Sequence, residues 1–258
     1  MKILVCIKQV PDSETAFKIN DTTNWIQMNN DIVFRMNRFD EFAIEESLRI
    51  KEKLPDVNID VISVGPPRVT STIRKALGMG ADNGIHILLE KELYHSPYEI
   101  ASLIAFYARD KNYDLIFTGV MAEDDMQCQV GQLIAGILNI PSASSTILER
   151  INPDDNAIYV EREIDNGLRE SLDLLLPALL TIQSGINHPR YPSLSNVLRA
   201  KDQELITVDS KSLPKIENRD RLTGIYYPQK IKNGLFIDGS PEEKAEKLLE
   251  ILHDKSLI

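Results

Sequence analysis

With 258 residues, the chain is long enough to bury a substantial core, as one large domain or two small ones. Its 43% hydrophobic and 26% charged residues are the ordinary balance of a globular protein, and a formal charge of −10 argues against a nucleic-acid surface, which needs a positive field. Cys6 and Cys128, far apart in the chain, provide neither a disulfide framework nor metal-ligand spacing, and they suit a reducing compartment.

The chain opens with Met-Lys-Ile-Leu-Val-Cys-Ile, a short apolar run that reads as a first strand rather than a signal peptide. No stretch approaches the roughly 20 apolar residues that span a bilayer. The expectation is therefore a cytoplasmic protein without membrane insertion. Residues Lys2–Lys8, Ile59–Val64, Gly84–Leu89 and Tyr113–Thr118 have the length and β-branched content of strands. Between them the period changes. Phe39, Phe42, Ala43, Ser47, Ile50 and Leu54 share one helical face, and Asp40, Glu41, Glu45, Arg49 and Glu52 turn elsewhere. Further stripes are Val69, Ile73, Ala76, Leu77; then Ile100, Leu103, Ile104, Tyr107; then Val130, Leu133, Ile134, Ile137, Leu138. Strand–helix alternation of this kind predicts an α/β fold: a doubly wound, mainly parallel sheet with helices on both faces, over residues 1–185.

Beyond residue 185, repeated prolines and glycines separate short apolar groups, and a loop-like arm is expected over 186–258. A final helix is expected at Ser240-Pro241-Glu242-Glu243, which carries an N-cap serine, a proline at the first helical position and a capping-box glutamate. An arm of this length suggests packing against a partner subunit.

In doubly wound sheets, ligands bind beyond the carboxyl ends of the strands, where strand order reverses. Lys8–Asp12, Met36–Asp40, Val64–Pro67 and Gly119–Gly131 should reach that edge. The last leads from a buried strand into a helix whose first amides suit a phosphate. Asp124 and Asp125 there would repel a phosphate they faced; capping the helix, or bonding amides, ribose or adenine, is the more natural role. There is no GxGxxG or Walker sequence, no G-x-S-x-G elbow and no metal spacing among His86, His95, His188 and His253. His86 reads as a packed strand residue and Cys6 as a small buried one. No catalytic residue is expected; electron transfer would need a cofactor.

Six segments follow one another between Ile3 and Leu194. They are Ile3-Leu-Val-Cys-Ile-Lys-Gln-Val-Pro-Asp12, Met36-Asn-Arg-Phe-Asp-Glu-Phe-Ala-Ile-Glu-Glu46, Thr72–Asp82 ending in Met-Gly-Ala-Asp, Gly119–Gly131, Glu161-Arg-Glu-Ile-Asp-Asn-Gly167 and Asn187-His-Pro-Arg-Tyr-Pro-Ser-Leu194. Together they resemble the β subunits of electron-transfer flavoproteins. The resemblance implies an electron carrier rather than an enzyme, of Rossmann-like, adenine-nucleotide-binding type. It implies a heterodimer with an α subunit that holds the redox-active FAD, passing electrons from flavin dehydrogenases, such as acyl-CoA dehydrogenases, to a quinone reductase or another acceptor. A structural AMP is implied near Cys6, Asn37, Arg38, Phe39, Asp40, Val64, Val120, Met121, Ala122, Glu123, Asp124, Asp125, Met126, Gln127, Cys128, Gln129, Val130 and Gly131. Pro189, Arg190 and Tyr191 match a docking loop that ends in Leu194, the leucine that anchors partner dehydrogenases; the plainer role for Leu194 is to cap a short helix, Leu194–Ala200. Glu163 matches an acidic residue that pairs with the α subunit.

Two alternatives stay open. Electron-bifurcating members carry FAD in place of AMP, tend to show Asp-Gly-Asp in the nucleotide loop, and lack Pro-Arg-Tyr. Here Asp124-Asp125-Met126 and Pro189-Arg190-Tyr191 lean toward AMP, although Met126 fits neither pattern and Arg38 stands where the family usually has proline. A stand-alone ATP-binding stress-type domain shares the sheet architecture but leaves residues 185–258 without a role.

Overall fold

The computed structural model describes residues 1–258 except 21, 23, 24, 28–30, 91, 92, 153–155, 215, 217, 218 and 229–233. The opening run forms β1 (Lys2–Cys6). Ile3 and Val5 enter one apolar cluster, and Leu4 and Cys6 enter another on the opposite face. Burial on both faces is why the segment shows no polar alternation. The elements that follow are β2 (Gln9–Pro11), β3 (Ile19–Asn20), β4 (Trp25–Ile26), β5 (Phe34–Met36), α1 (Arg38–Lys53), β6 (Asn58–Gly65), α2 (Thr70–Met79), β7 (Asn83–Leu88), α3 (Pro97–Ala108), β8 (Leu115–Gly119) and α4 (Val130–Leu138). Then come β9 (Ser142–Asn152), β10 (Ala157–Glu163), β11 (Arg169–Leu175), β12 (Ala178–Ile182), α5 (Leu194–Asp202), β13 (Ile206–Asp209) and α6 (Pro241–Asp254).

Among the described residues the main sheet runs in the order β11-β10-β9-β12-β8-β1-β6-β7-β13. The pairs from β9–β12 through to β7–β13 are parallel. Helices α1 and α2 cover one face through Phe42, Ile44, Leu48, Ile73 and Leu77. Helices α3 and α4 cover the other through Ala101, Ile104, Ala105, Ile134 and Ala135. The doubly wound architecture is therefore present.

Three features depart from the simple pattern. First, β9, β10 and β11 form an antiparallel meander that extends the parallel sheet. Second, the stretch expected to be loop-like contains, besides α5, which matches the short helix weighed at Leu194–Ala200, a strand β13 that pairs parallel with β7 at the sheet's far end. The chain divides into two compact units, Met1–Gly224 and Ile225–Ile258, so α5 and β13 belong to the first. Third, part of the polar side of α1 is buried: Asp40 and Glu45 are covered, as is the adjacent Glu46, while Glu52 stays exposed. Buried carboxylates need partners, and those partners come from distant segments, which a local helical period does not report.

In the second unit, Ser240 Oγ accepts from the Glu243 N–H at 3.3 Å and Glu243 Oε2 accepts from the Ser240 N–H at 2.8 Å, completing the capping box that starts α6. Leu248 and Leu249 of its apolar stripe are about half exposed. Among the described residues no helix is long and apolar enough to cross a membrane.

Candidate functional site

Strand order reverses at β1: β6 and β7 lie to one side, β8 and β12 to the other. The carboxyl ends of β1 and β8 thus flank the crevice where doubly wound sheets hold ligands. One side chain joins them. Asp40, in the first turn of α1, accepts the Lys8 N–H on Oδ2 at 2.7 Å and the Gly119 N–H on Oδ1 at 3.0 Å. The short ladder between β2 and β5 delivers α1 to this place, and the Asn37 N–H donates to the Lys8 carbonyl at 2.9 Å. Asp40 is buried, and burial pushes its carboxyl up to about 7, with the bonds from Lys8 and Gly119 opposing the rise. Gly119 has no room for a side chain, since a Cβ there would collide with Asp40 Oδ1 and with Phe39.

The loop from Gly119 to α4 is fastened on the same helix start. Asn37 Nδ2 donates to the Met121 carbonyl at 2.9 Å, and Asn37 Oδ1 accepts the Glu123 N–H at 3.1 Å. Glu123 reaches back to the Arg38 N–H and to Arg35 Nη2, each at 3.1 Å. Its charge is thereby placed on the first turn of α1, where the helix dipole favours it. Asp124 and Asp125 do not cap α4; they pair with Lys8 Nζ at 2.7 and 2.9 Å, and Asp125 also bonds an amide as expected, its Oδ1 accepting the Gln127 N–H at 3.2 Å. The pairing opposes desolvation and leaves the lysine above its ordinary range. Met126 and Cys128 both lie in the left-handed backbone region (φ 51° and 55°) and turn the chain into α4. Like α1 and α2, and unlike the serine-capped α3, α5 and α6, α4 has no side-chain cap, its cap position being Gln129. Gly131 in its first turn lets α4 sit close to the sheet, because a Cβ would come within 2.7 Å of Thr181 Cγ2 and 2.8 Å of Thr118 Oγ1. The result is an uncapped helix start at the switch point, with the loop's acids already engaged by Lys8, Arg35 and α1. Free amides at a helix start of this kind are suited to an anion.

A second polar cluster lies further along α1. Asn187 Nδ2 donates to the Phe42 carbonyl at 2.9 Å and to Glu46 Oε2 at 2.8 Å. Arg190 embraces Glu45, through Nε at 2.8 Å and Nη2 at 2.8 Å, and reaches Glu52 through Nη1 at 2.6 Å. Beyond this anchorage the segment is apolar and open: Tyr191 is 95% exposed and Leu194 75%, beside Val197 and Leu198 on α5. Leu194 is the first residue of α5, and the cap is Ser193, whose Oγ accepts the Asn196 N–H. Burial, then the neighbouring Glu46, raise the Glu149 carboxyl, while Lys53 stands 4.0 Å away. The folded chain thus holds a proton that the unfolded chain releases in the ordinary glutamate range. This contribution to stability is full at acid pH and is lost as pH rises through the raised value. Glu149→Gln is expected to remove about one proton's worth of that slope in melts between pH 5 and 8; an unaltered slope would show that Glu149 does not hold the proton.

Comparison with known proteins bears on what such a chain is. Residues 26–213 match the family model described as electron transfer flavoprotein domain. A Dictyostelium discoideum protein named electron transfer flavoprotein subunit beta is 35% identical over 259 residues, covering 100% of this chain and 99% of its own. The chain belongs to the electron-transfer flavoprotein β-subunit family. Relatives of the same name from Arabidopsis thaliana, there called mitochondrial, and from Mus musculus are 35% and 33% identical, over 98% and 97% of this chain and 99% and 98% of theirs.

In this flavoprotein β-family chain, the residues singled out from the sequence fall in separate places. Asn37–Asp40 and Val120–Gly131 converge around the ends of β1 and β8. Cys6 is buried at the end of β1, its thiol pushed up by burial, and Val64 is half-buried near the end of β6. Pro189, Arg190, Tyr191 and Leu194 lie on the α1–α5 side, whereas Glu163 closes β10 on the meander and is exposed. Sequence reasoning did not single out Lys8 or Arg35, the two cations that engage the loop's acids. Lys8 sits two residues past a buried strand on the predicted edge, which was the available signal. Glu45 and Asn187 carry no local signal, since the partner of Glu45 is Arg190 and that of Asn187 is Glu46, each more than 140 positions away. Among the described residues, no group of three or more His, Cys, Asp or Glu could hold a metal ion.

Proposed function

We propose that this chain is the β subunit of a heterodimeric electron-transfer flavoprotein that takes electrons from flavin dehydrogenases, of which acyl-CoA dehydrogenases are an example, to a quinone reductase or another acceptor. The observation that carries this reading is the Asp40 bridge between the exits of β1 and β8, beside the uncapped start of α4. Asn37–Asp40, Cys6, Val64 and the loop Val120–Gly131 would hold a structural AMP there, the first amides of α4 being suited to its phosphate. The AMP supplies stability and no redox chemistry; FAD in the α subunit supplies the latter. Asp124-Asp125-Met126 in place of Asp-Gly-Asp, together with Pro189-Arg190-Tyr191, favours AMP over a second FAD.

Residues 1–185 would thus hold the nucleotide, and 186–258 supply the docking segment and the arm that embraces the α subunit. Tyr226, Tyr227, Leu235 and Phe236 all expose apolar surface in that arm, as a partner-covered segment would in isolation. Glu163, exposed at the end of β10, is assigned to the contact with the α subunit. Co-expression with the α subunit encoded in the same organism tests the assignment. A one-to-one yellow complex is expected; a stable lone monomer that binds ATP would replace this reading with the stress-type one.

A further inference from the structure

Arg190 lies beside exposed Tyr191 and Leu194, so direct contact with a docking dehydrogenase would be its obvious role. The geometry points to another: we propose that Glu45 and Arg190 form an internal clamp that holds the docking segment in its presenting conformation, Arg190 being a positioning residue and not a partner contact. This rests on reading Pro189–Leu194 as the docking segment. Glu45 is buried, with 6% of its side chain exposed. Its Oε2 accepts both the Arg190 backbone N–H, at 3.1 Å, and Nε, at 2.8 Å, while Oε1 accepts Nη2 at 2.8 Å. One carboxylate thus fixes both the main chain and the planar fork of the same arginine, a geometry lysine does not reproduce. Glu52 takes the remaining Nη1 at 2.6 Å, so each of the arginine's three nitrogens is directed at α1.

Two further contacts hold the segment on either side. Asn187 is bonded to Phe42 and Glu46 of α1, and Arg74 Nη1 of α2 donates to the carbonyls of Ala200 and Gln203, at 2.6 and 3.0 Å, at the far end of α5. Val197 packs against Gly78 of α2, where an added Cβ would lie 3.7 Å from the Val197 Cα. Asn187 and Arg190 therefore face α1, while the apolar Tyr191, Leu194 and Leu198 are exposed. A preordered segment binds without first losing its freedom.

The test uses the purified heterodimer as electron acceptor for a substrate-reduced acyl-CoA dehydrogenase. Glu45→Gln and Arg190→Gln are each expected to raise the KM for the heterodimer about tenfold, with kcat and flavin content unchanged. Glu52→Gln, at an exposed position that folding tolerates, should raise it about two- to threefold. Because the clamp works through Leu194, Glu45→Gln added to Leu194→Ala should raise the KM no further than Leu194→Ala alone. Multiplying effects, or a raised KM in Arg190→Gln with none in Glu45→Gln and Glu52→Gln, would overturn the clamp and assign Arg190 to the partner. If Leu194→Ala itself leaves the KM unaltered, the docking reading falls and takes the clamp with it. Should Glu45→Gln not fold, Arg190→Gln and Glu52→Gln decide the question: ordinary KM values in both would contradict the clamp.

Discussion

A heterodimer carrying Leu194→Ala is expected to take electrons from an acyl-CoA dehydrogenase about thirtyfold less efficiently, with its flavin content and melting temperature unchanged. Leu194 is three-quarters exposed at the start of α5, so its truncation opens no cavity in the chain itself. Seated in an apolar pocket of a partner, a leucine contributes about 1.5–3 kcal/mol, and each 1.4 kcal/mol is about tenfold in affinity. The loss should therefore appear in the KM for the heterodimer. An equal fall in flavin content would mean that the leucine supports the fold or the α interface instead.

The larger effect on stability is expected at Asp40. Its two carboxylate oxygens are engaged by the amides of Lys8 and Gly119, one from each strand at the switch point. Asp40→Ala leaves both donors without this partner in a partly buried place, at up to about 1–3 kcal/mol each. It also frees the Gly119–Gly131 loop from the helix start against which Asn37 and Glu123 organise it. Loss of bound nucleotide follows, and binding at about a hundred times Kd contributes about 2.7 kcal/mol. Thermal melting of the heterodimer, with nucleotide analysis of the same sample, separates the two losses: both should fall. Asp40→Asn keeps one acceptor but turns an NH2 toward an N–H donor, so it should sit between wild type and alanine. With the Asp40 carboxyl raised to about 7, the folded form keeps a proton that the unfolded form has lost. Its stabilising share is full below the ordinary aspartate range and is lost as pH rises through about 7, so Asp40→Asn should flatten the pH dependence across that window.

The apolar stripes announced α1 to α4 and the unbroken runs announced β1, β6, β7 and β8, because burial on one helical stripe or on both strand faces leaves a periodic trace. The Gly119–Gly131 loop was legible as the strand-to-helix turn at the switch edge. What the local pattern could not convey was pairing at a distance. Asp40 and Glu45 are expected only to turn away from the apolar face of α1, and nothing local shows that Lys8 and Gly119 bond the first and Arg190 the second. Asp124 and Asp125 had the form of a helix cap, but a lysine from the end of β1 claims them and α4 begins uncapped. Strand β13 was hidden for another reason. It is four residues long and mostly exposed at the sheet edge, so it carries neither an apolar run nor an alternation strong enough to register among prolines and glycines.

On the proposed reading, the edge shared by β1 and β8 holds an adenine nucleotide while the flavin resides in a partner. Denaturing the purified heterodimer and identifying the released nucleotides by chromatography tests it most directly. One AMP and one FAD per heterodimer is the predicted result. Two FAD would move the chain to the bifurcating class, and FAD with no second adenylate would contradict the site itself.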